Sequence, residues 1–152
     1  MGQQQLLLVI LVTILVGIAT LVAFNVFGTA AEEANRDAVR QDILAAAAQA
    51  QAIWTRPEMM DGAGQDFGNL DATEILARLN IPGENTGTQV ENENGTYTVT
   101  VTDGTTLIIT GAPTSDTDDI VGNVSRNATS GQWEITWGAA GGGDGGGDGG
   151  GG

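Results

Sequence analysis

The chain has 152 residues and a formal net charge of −14, from five Arg and no Lys against 19 Asp plus Glu. It contains no Cys and no His, which excludes disulfides, iron–sulfur clusters and a thiol nucleophile and removes the commonest general base and zinc ligand. Such acidity argues against a nucleic-acid partner, which needs Lys and Arg to neutralise phosphates, and the length holds one small domain at most; neither an enzyme nor a cofactor is expected.

The charge is unevenly placed. The first ionisable side chain is Glu32, so residues 1–31 hold none of it. Within them, Leu6 to Phe24 is an apolar run of 19 residues interrupted only by Thr13, Gly17 and Thr20. As a helix rising about 1.5 Å per residue it spans roughly 28 Å, close to the roughly 30 Å hydrocarbon thickness of a bilayer, and membrane insertion is predicted. Met1-Gly2-Gln3-Gln4-Gln5 lacks the basic residue of a secretory signal, and the apolar run is too long for one. A core helix apolar on every side would need a larger domain around it than this chain can supply.

From Glu32 to about Trp54 the composition turns to Ala, Arg, Asp, Glu and Gln, and Val39, Ile43, Ala46 or Ala47, Ala50 and Ile53-Trp54 recur at helical steps. Glu32 with Arg36, and Asp37 with Arg40, are expected helix-surface pairs. One helix from Leu6 to Trp54 would reach roughly 73 Å, and Pro57 stops it. The turn-forming stretch Asp61-Gly62-Ala63-Gly64 follows. Next comes a short helix with Asp71 as N-cap, Glu74 three residues later, an apolar face of Ile75, Leu76 and Leu79, and Pro82-Gly83 as its end.

Beyond Gly83 the period changes to two. Tyr97, Val99 and Val101 alternate with Thr96, Thr98, Thr100 and Thr102; Asp103-Gly104 makes a turn, and Leu107 and Ile109 continue. Trp133, Ile135 and Trp137 alternate with Glu134 and Thr136 in a last strand, Ile120 to Ser125 forms one between, and Thr88 to Glu91 is a candidate first one. The fold class is α+β, a long N-terminal helix plus an antiparallel sheet of four or five strands with one apolar and one Thr-rich face. Residues 1–28 are the apolar helix, 29–56 its amphipathic continuation, 57–137 a globular head and 138–152 a Gly-rich tail.

The amphipathic half of the helix is expected to lie on the apolar face of the sheet, setting Val39, Ile43, Ile53 and Trp54 against Tyr97, Val99, Val101, Trp133, Ile135 and Trp137. Nothing in the same chain remains to cover Leu6 to Phe24. A helix apolar all round must be covered by lipid or by copies of itself. Gly17, Ala19, Ala23 and Gly28 allow helices to approach closely, and Thr13 and Thr20 can bond carbonyls one turn earlier.

Three smaller features stand apart. Asn94-Gly95-Thr96, Asn123-Val124-Ser125 and Asn127-Ala128-Thr129 match the N-glycosylation sequon, and the Thr face could bear O-glycans. Asp116, Asp118 and Asp119 form a weak candidate calcium loop without EF-hand spacing. The tail repeats Gly-Gly-Gly-Asp at 141–144 and 145–148 and reads as a linker, or as a segment lying along a neighbouring copy.

An uncharged apolar helix, its amphipathic continuation and a C-terminal sheet resemble the type IV pilins and their relatives. The likeness is architectural over about residues 1–137 and reaches motif level only near the N-terminus, where Met1-Gly2-Gln3-Gln4-Gln5-Leu6-Leu7-Leu8-Val9-Ile10 looks like the processing region and the start of the helix. The resemblance implies a single-pass membrane precursor that is cut by prepilin peptidase and extracted by a pilus assembly machinery. The product is an extracellular homopolymer on a prokaryotic cell surface, with Gln5, Leu6, Val9, Thr13, Gly17, Thr20, Phe24 and Gly28 in the filament core. Gln5 stands where most relatives carry Glu if Met1 is the mature start, the favoured reading; cleavage after Gly2 would put Leu7 there. Val22 stands near where many bacterial pilins have Pro, so a more continuous helix is expected, with Gly17 and Gly28 its loosest points. A secretion-system pseudopilin and a membrane-anchored extracellular binding module are the alternatives.

Overall fold

The computed structural model describes residues 2–139. A single helix, α1, runs Gly2–Thr55. Two 3-10 turns, Glu58–Met60 and Phe67–Asn69, lead to helix α2, Ala72–Arg78. Six strands follow: β1 Glu84–Asn85, β2 Val90–Glu91, β3 Gly95–Asp103, β4 Thr106–Pro113, β5 Ile120–Arg126 and β6 Trp133–Ala139. They form one antiparallel meander in chain order.

The α+β layout is the one expected, with six strands in place of four or five. The additional strand, β1, is two residues long and has no alternation to announce it. It is set by the turn that follows, where Thr86 N–H donates to the Gln89 carbonyl at 3.0 Å and Gly87 N–H to Asn85 Oδ1 at 2.8 Å. The candidate strand Thr88 to Glu91 shrinks to Val90–Glu91. The helix begins at Gly2 rather than Leu6, passes Gly17 and Gly28 unbroken, and ends at Thr55. Asp71 caps α2, and its N–H donates to Glu74 Oε2 at 3.2 Å.

The described residues form two compact units divided between Ala34 and Asn35. In the first, residues 2–34 are a bare helix with every residue exposed. The second has a core. Val39, Ile43, Ala46, Ala47, Ala50, Ile53 and Trp54 make one buried stripe of α1. They share a single apolar cluster with Tyr97, Leu107, Ile109, Ile120 and Val124 of the sheet and with Phe67, Ile75, Leu76 and Leu79.

Two glycines set how closely α1 and the sheet approach. A Cβ at Gly111 would stand 2.5 Å from Val39 Cγ1, and one at Gly122 would stand 2.6 Å from Ile43 Cγ2. Both contacts are below any tolerable carbon–carbon separation, so these strand positions carry no side chain because the helix occupies that space. Gly122 pairs with Ile109 on one side and Trp137 on the other.

Most of the expected packing residues lie where the alternation puts them. Val39, Ile43, Ile53, Trp54 and Tyr97 are buried, and Val99, Val101, Trp133 and Ile135 are half-buried against the core. Trp137 is the correction, at 45% exposed. It belongs to an edge strand with one neighbour, while Val39 and Ile43 meet the sheet over Gly111 and Gly122. At the far end of β6, Trp133 stacks edge-on against Trp54 with ring centroids 5.4 Å apart, and Trp54 Nε1 donates to the Gly104 carbonyl at 2.9 Å.

Gly122→Ala is expected to destabilise the second unit by about 1–3 kcal/mol through overpacking against Ile43. Gly138→Ala, where an added Cβ meets nothing within 4 Å, is expected to be near neutral. Denaturant unfolding of the chain in detergent, followed by Trp fluorescence, compares the two; equal effects would mean that helix and sheet are not in close contact at Gly122.

Candidate functional site

The largest chemical feature among the described residues is the surface of residues 2–34. Leu6, Val9 and Phe24 are 63%, 61% and 71% exposed, and the side chains between them are comparably bare. An α-helix bonds its backbone internally except at its ends, so the remaining polar groups decide whether this surface tolerates an apolar environment. Thr13 Oγ1 donates to the Val9 carbonyl at 2.6 Å, and Thr20 Oγ1 to the Val16 carbonyl at 2.7 Å. Thr29 Oγ1 reaches the Asn25 carbonyl at 3.0 Å, and Asn25 Nδ2 reaches the Leu21 carbonyl at 3.3 Å. The three Thr hydroxyls and one N–H of Asn25 thus donate to the helix's own carbonyls. Nothing surrounds the Cβ positions of Gly17 and Gly28, which are open notches in this surface. Gln5 is exposed with them; Met1 lies outside the described residues.

A polar hub in the second unit went unnoticed in the sequence. Asp42 stands on α1, and its Oδ2 accepts from Tyr97 Oη at 2.6 Å, Asn94 Nδ2 at 2.9 Å and Asn92 Nδ2 at 3.2 Å. Burial above all, and the neighbouring Asp42 carboxylate after it, push the Tyr97 phenol well above its ordinary value. The hub fastens the start of β3 to α1. Nearby, Asn35 Nδ2 donates to the Asn94 carbonyl at 2.9 Å and its Oδ1 accepts from Ser115 Oγ at 2.8 Å. A polar residue one helical turn from an apolar stripe signals such a clasp only once its strand partner is known.

Among the described residues no group of three acidic side chains is placed to hold an ion, the weak candidates Asp116, Asp118 and Asp119 included. Asp116 is already engaged. Its Oδ2 pairs with Arg36, and its Oδ1 accepts from Thr117 N–H at 2.7 Å and Asp118 N–H at 3.3 Å. The Arg36 hydrogen bond comes first among the causes that hold its carboxyl below the usual range. Arg36 thus pairs across to the loop rather than with Glu32, whereas Asp37 and Arg40 do pair, at 3.3 Å. Arg36, Arg40, Asp118, Asp119 and Trp137 line an open cleft of about 400 Å³.

No protein-family model, no curated protein and no solved structure matches this chain.

The chain has one Tyr and no Lys or Cys, so Tyr97 is the side chain that titrates between the carboxylates and Arg. Its raised value in the folded state means that the bound proton stabilises the fold; this contribution is complete below about pH 10 and is lost as the pH rises past it. Tyr97→Phe is expected to flatten that alkaline decline and to cost roughly 1.5–3 kcal/mol at neutral pH through the lost bond to a carboxylate. Unfolding measured across neutral to strongly alkaline pH for both chains tests this, and an unchanged decline in the Phe variant would remove Tyr97 as its cause.

Proposed function

We propose that this chain is the major structural subunit of a type IV pilus-like extracellular filament, polymerised by bundling of residues 2–34 from many copies. One observation supports this reading above the rest. The exposed helical surface from Leu6 to Phe24 carries no charge, its only polar side chains, Thr13 and Thr20, are bonded to its own carbonyls, and its residues are all exposed. Such a surface suits two surroundings in succession, lipid before assembly and neighbouring helices after it. The open notches at Gly17 and Gly28 suit close helix contact in the second. In this reading the head lies outside the cell, prepilin peptidase processes the N-terminus, and a pilus assembly machinery moves the chain from membrane to filament. The role is structural, with no catalysis.

Transfer from lipid to a helical bundle exchanges one apolar environment for another, so little net hydrophobic gain accompanies assembly. The polymer is held by packing repeated along the fibre. A pseudopilin would share this chemistry in a short polymer. The cleft bounded by Arg36, Arg40 and Trp137 favours a different second reading, a membrane-anchored module that binds a ligand at the head.

Electron cryo-microscopy of material sheared from cells expressing the chain tests these readings. The expected result is thin filaments with Leu6 to Phe24 bundled on the axis. A single-pass membrane monomer without filaments would overturn the proposal in favour of the anchored module.

Val16→Arg puts a charge near the middle of the apolar run, at a cost to insertion of about 2.5–3.5 kcal/mol. Both the membrane fraction and the filaments are expected to fall severalfold or more, measured by fractionation and by filament yield, whereas Met59→Ser on the head leaves both unchanged.

A further inference from the structure

The three sequons are equivalent in the sequence and very different in the structure. A glycan on Asn replaces one hydrogen of Nδ2, so that nitrogen must be accessible and free of a partner that the sugar would displace. Asn94 fails on both counts. It is half-buried, its Nδ2 is committed to Asp42 at 2.9 Å, and its carbonyl accepts from Asn35 and Thr114. Asn123 sits inside β5 between Ile108 of β4 and Thr136 of β6, half-buried, with its Oδ1 sealed from solvent.

Asn127 meets both requirements. It is the first residue after β5 and is exposed, as is Thr129 of the same sequon. The turn it opens is fixed by its backbone, whose N–H donates to the Gln132 carbonyl and whose carbonyl accepts from Gly131, each at 2.8 Å. Its side-chain Oδ1 accepts from the N–H groups of Thr129 at 2.9 Å and Ser130 at 3.0 Å. The carboxamide is therefore held by its oxygen, while its Nδ2 makes no hydrogen bond among the described residues.

We propose that Asn127 is an N-glycosylation site, the acceptor of an oligosaccharide from a lipid-linked phosphate or diphosphate donor. In the transfer a bond forms between Nδ2 and the anomeric carbon. The anomeric carbon–oxygen bond breaks, the lipid phosphate leaves with that electron pair, and the displaced amide proton passes to a base of the transferase. A sugar at this turn leaves the Asp42 hub intact, which a sugar on Asn94 would not. The inference rests on the extracellular placement of the head.

The test uses the full chain, extended after Gly152 by an Arg-linked tag bearing one unstructured sequon, in prokaryotic cells with an oligosaccharyltransferase and its lipid-linked donor. Trypsin cuts after Arg78 and Arg126, so residues 79–126, with Asn94 and Asn123, separate from residues 127–152. Intact peptide masses are expected to show the glycan on 127–152, lost in both Asn127→Gln and Thr129→Ala. An occupied tag beside a bare Asn127, or a glycan on 79–126, overturns this inference and leaves the placement standing. An empty tag together with a head shielded from protease on whole cells overturns the placement and this inference with it.

Discussion

The structure depends on one constraint: a helical surface that water solvates poorly and that stands exposed among the described residues. Residues 2–34 expose apolar side chains on every side. Exposed apolar area beyond a few hundred square ångströms is ordinarily a docking surface for something else. Here the polar atoms obey the same requirement. Four side chains that would otherwise demand water are turned onto the helix's own backbone. A helix meant for a protein core would have been enclosed.

Within the second unit a different solution serves the same helix. Val39 and Ile43 of α1 meet the sheet over Gly111 and Gly122, and Ala46, Ala47 and Ala50 continue the same buried stripe. Polar and aromatic clasps secure both ends. Asn35 and Asp42 hold the early part of this stretch to Asn94, Tyr97 and Ser115. Trp54 closes the other end by bonding Gly104, packing on Trp133 and lying under Arg126, whose guanidinium carbon is 4.6 Å from the ring centroid. Desolvated aromatic and cation–π contacts of this kind each contribute on the order of 1 kcal/mol.

Much of this was legible in the residues, for physical reasons. The helix could be read because charge is absent from 31 consecutive residues and then returns with a clear helical stripe. The four longer strands could be read because Thr alternates with apolar residues, or because Trp133 and Ile135 repeat the same period. Strand β1 could not, since two residues stabilised by a turn have no period. Trp137 continued the alternation but stays 45% exposed in the open cleft it lines with Arg36 and Arg40, because periodicity tells which face a residue occupies and not how fully anything covers it. Gly111 and Gly122 looked like weak points in strands, and only a helix overhead gives them a reason. Asp42 and Arg36 had their strand and loop partners 55 and 80 residues away, a separation that no local pattern crosses.

The distribution of charge has a consequence for how copies could assemble. All of the −14 lies beyond residue 31, so within the segment proposed to bundle the first 30 residues contribute no side-chain repulsion; Glu32 and Glu33 at its end and the heads contribute all of it. Five Arg cannot offset 19 acids, and Arg36, Arg40 and Arg78 each already contact an acidic side chain of their own chain. Contacts between heads must therefore form among like charges, whose repulsion is screened over about 8–10 Å at physiological ionic strength. Two surfaces of opposite tendency are thus joined in one chain. In the proposed filament one would gain from close packing with its own copies and the other would resist it, so cohesion would fall to the apolar run and the heads would be left to meet solvent.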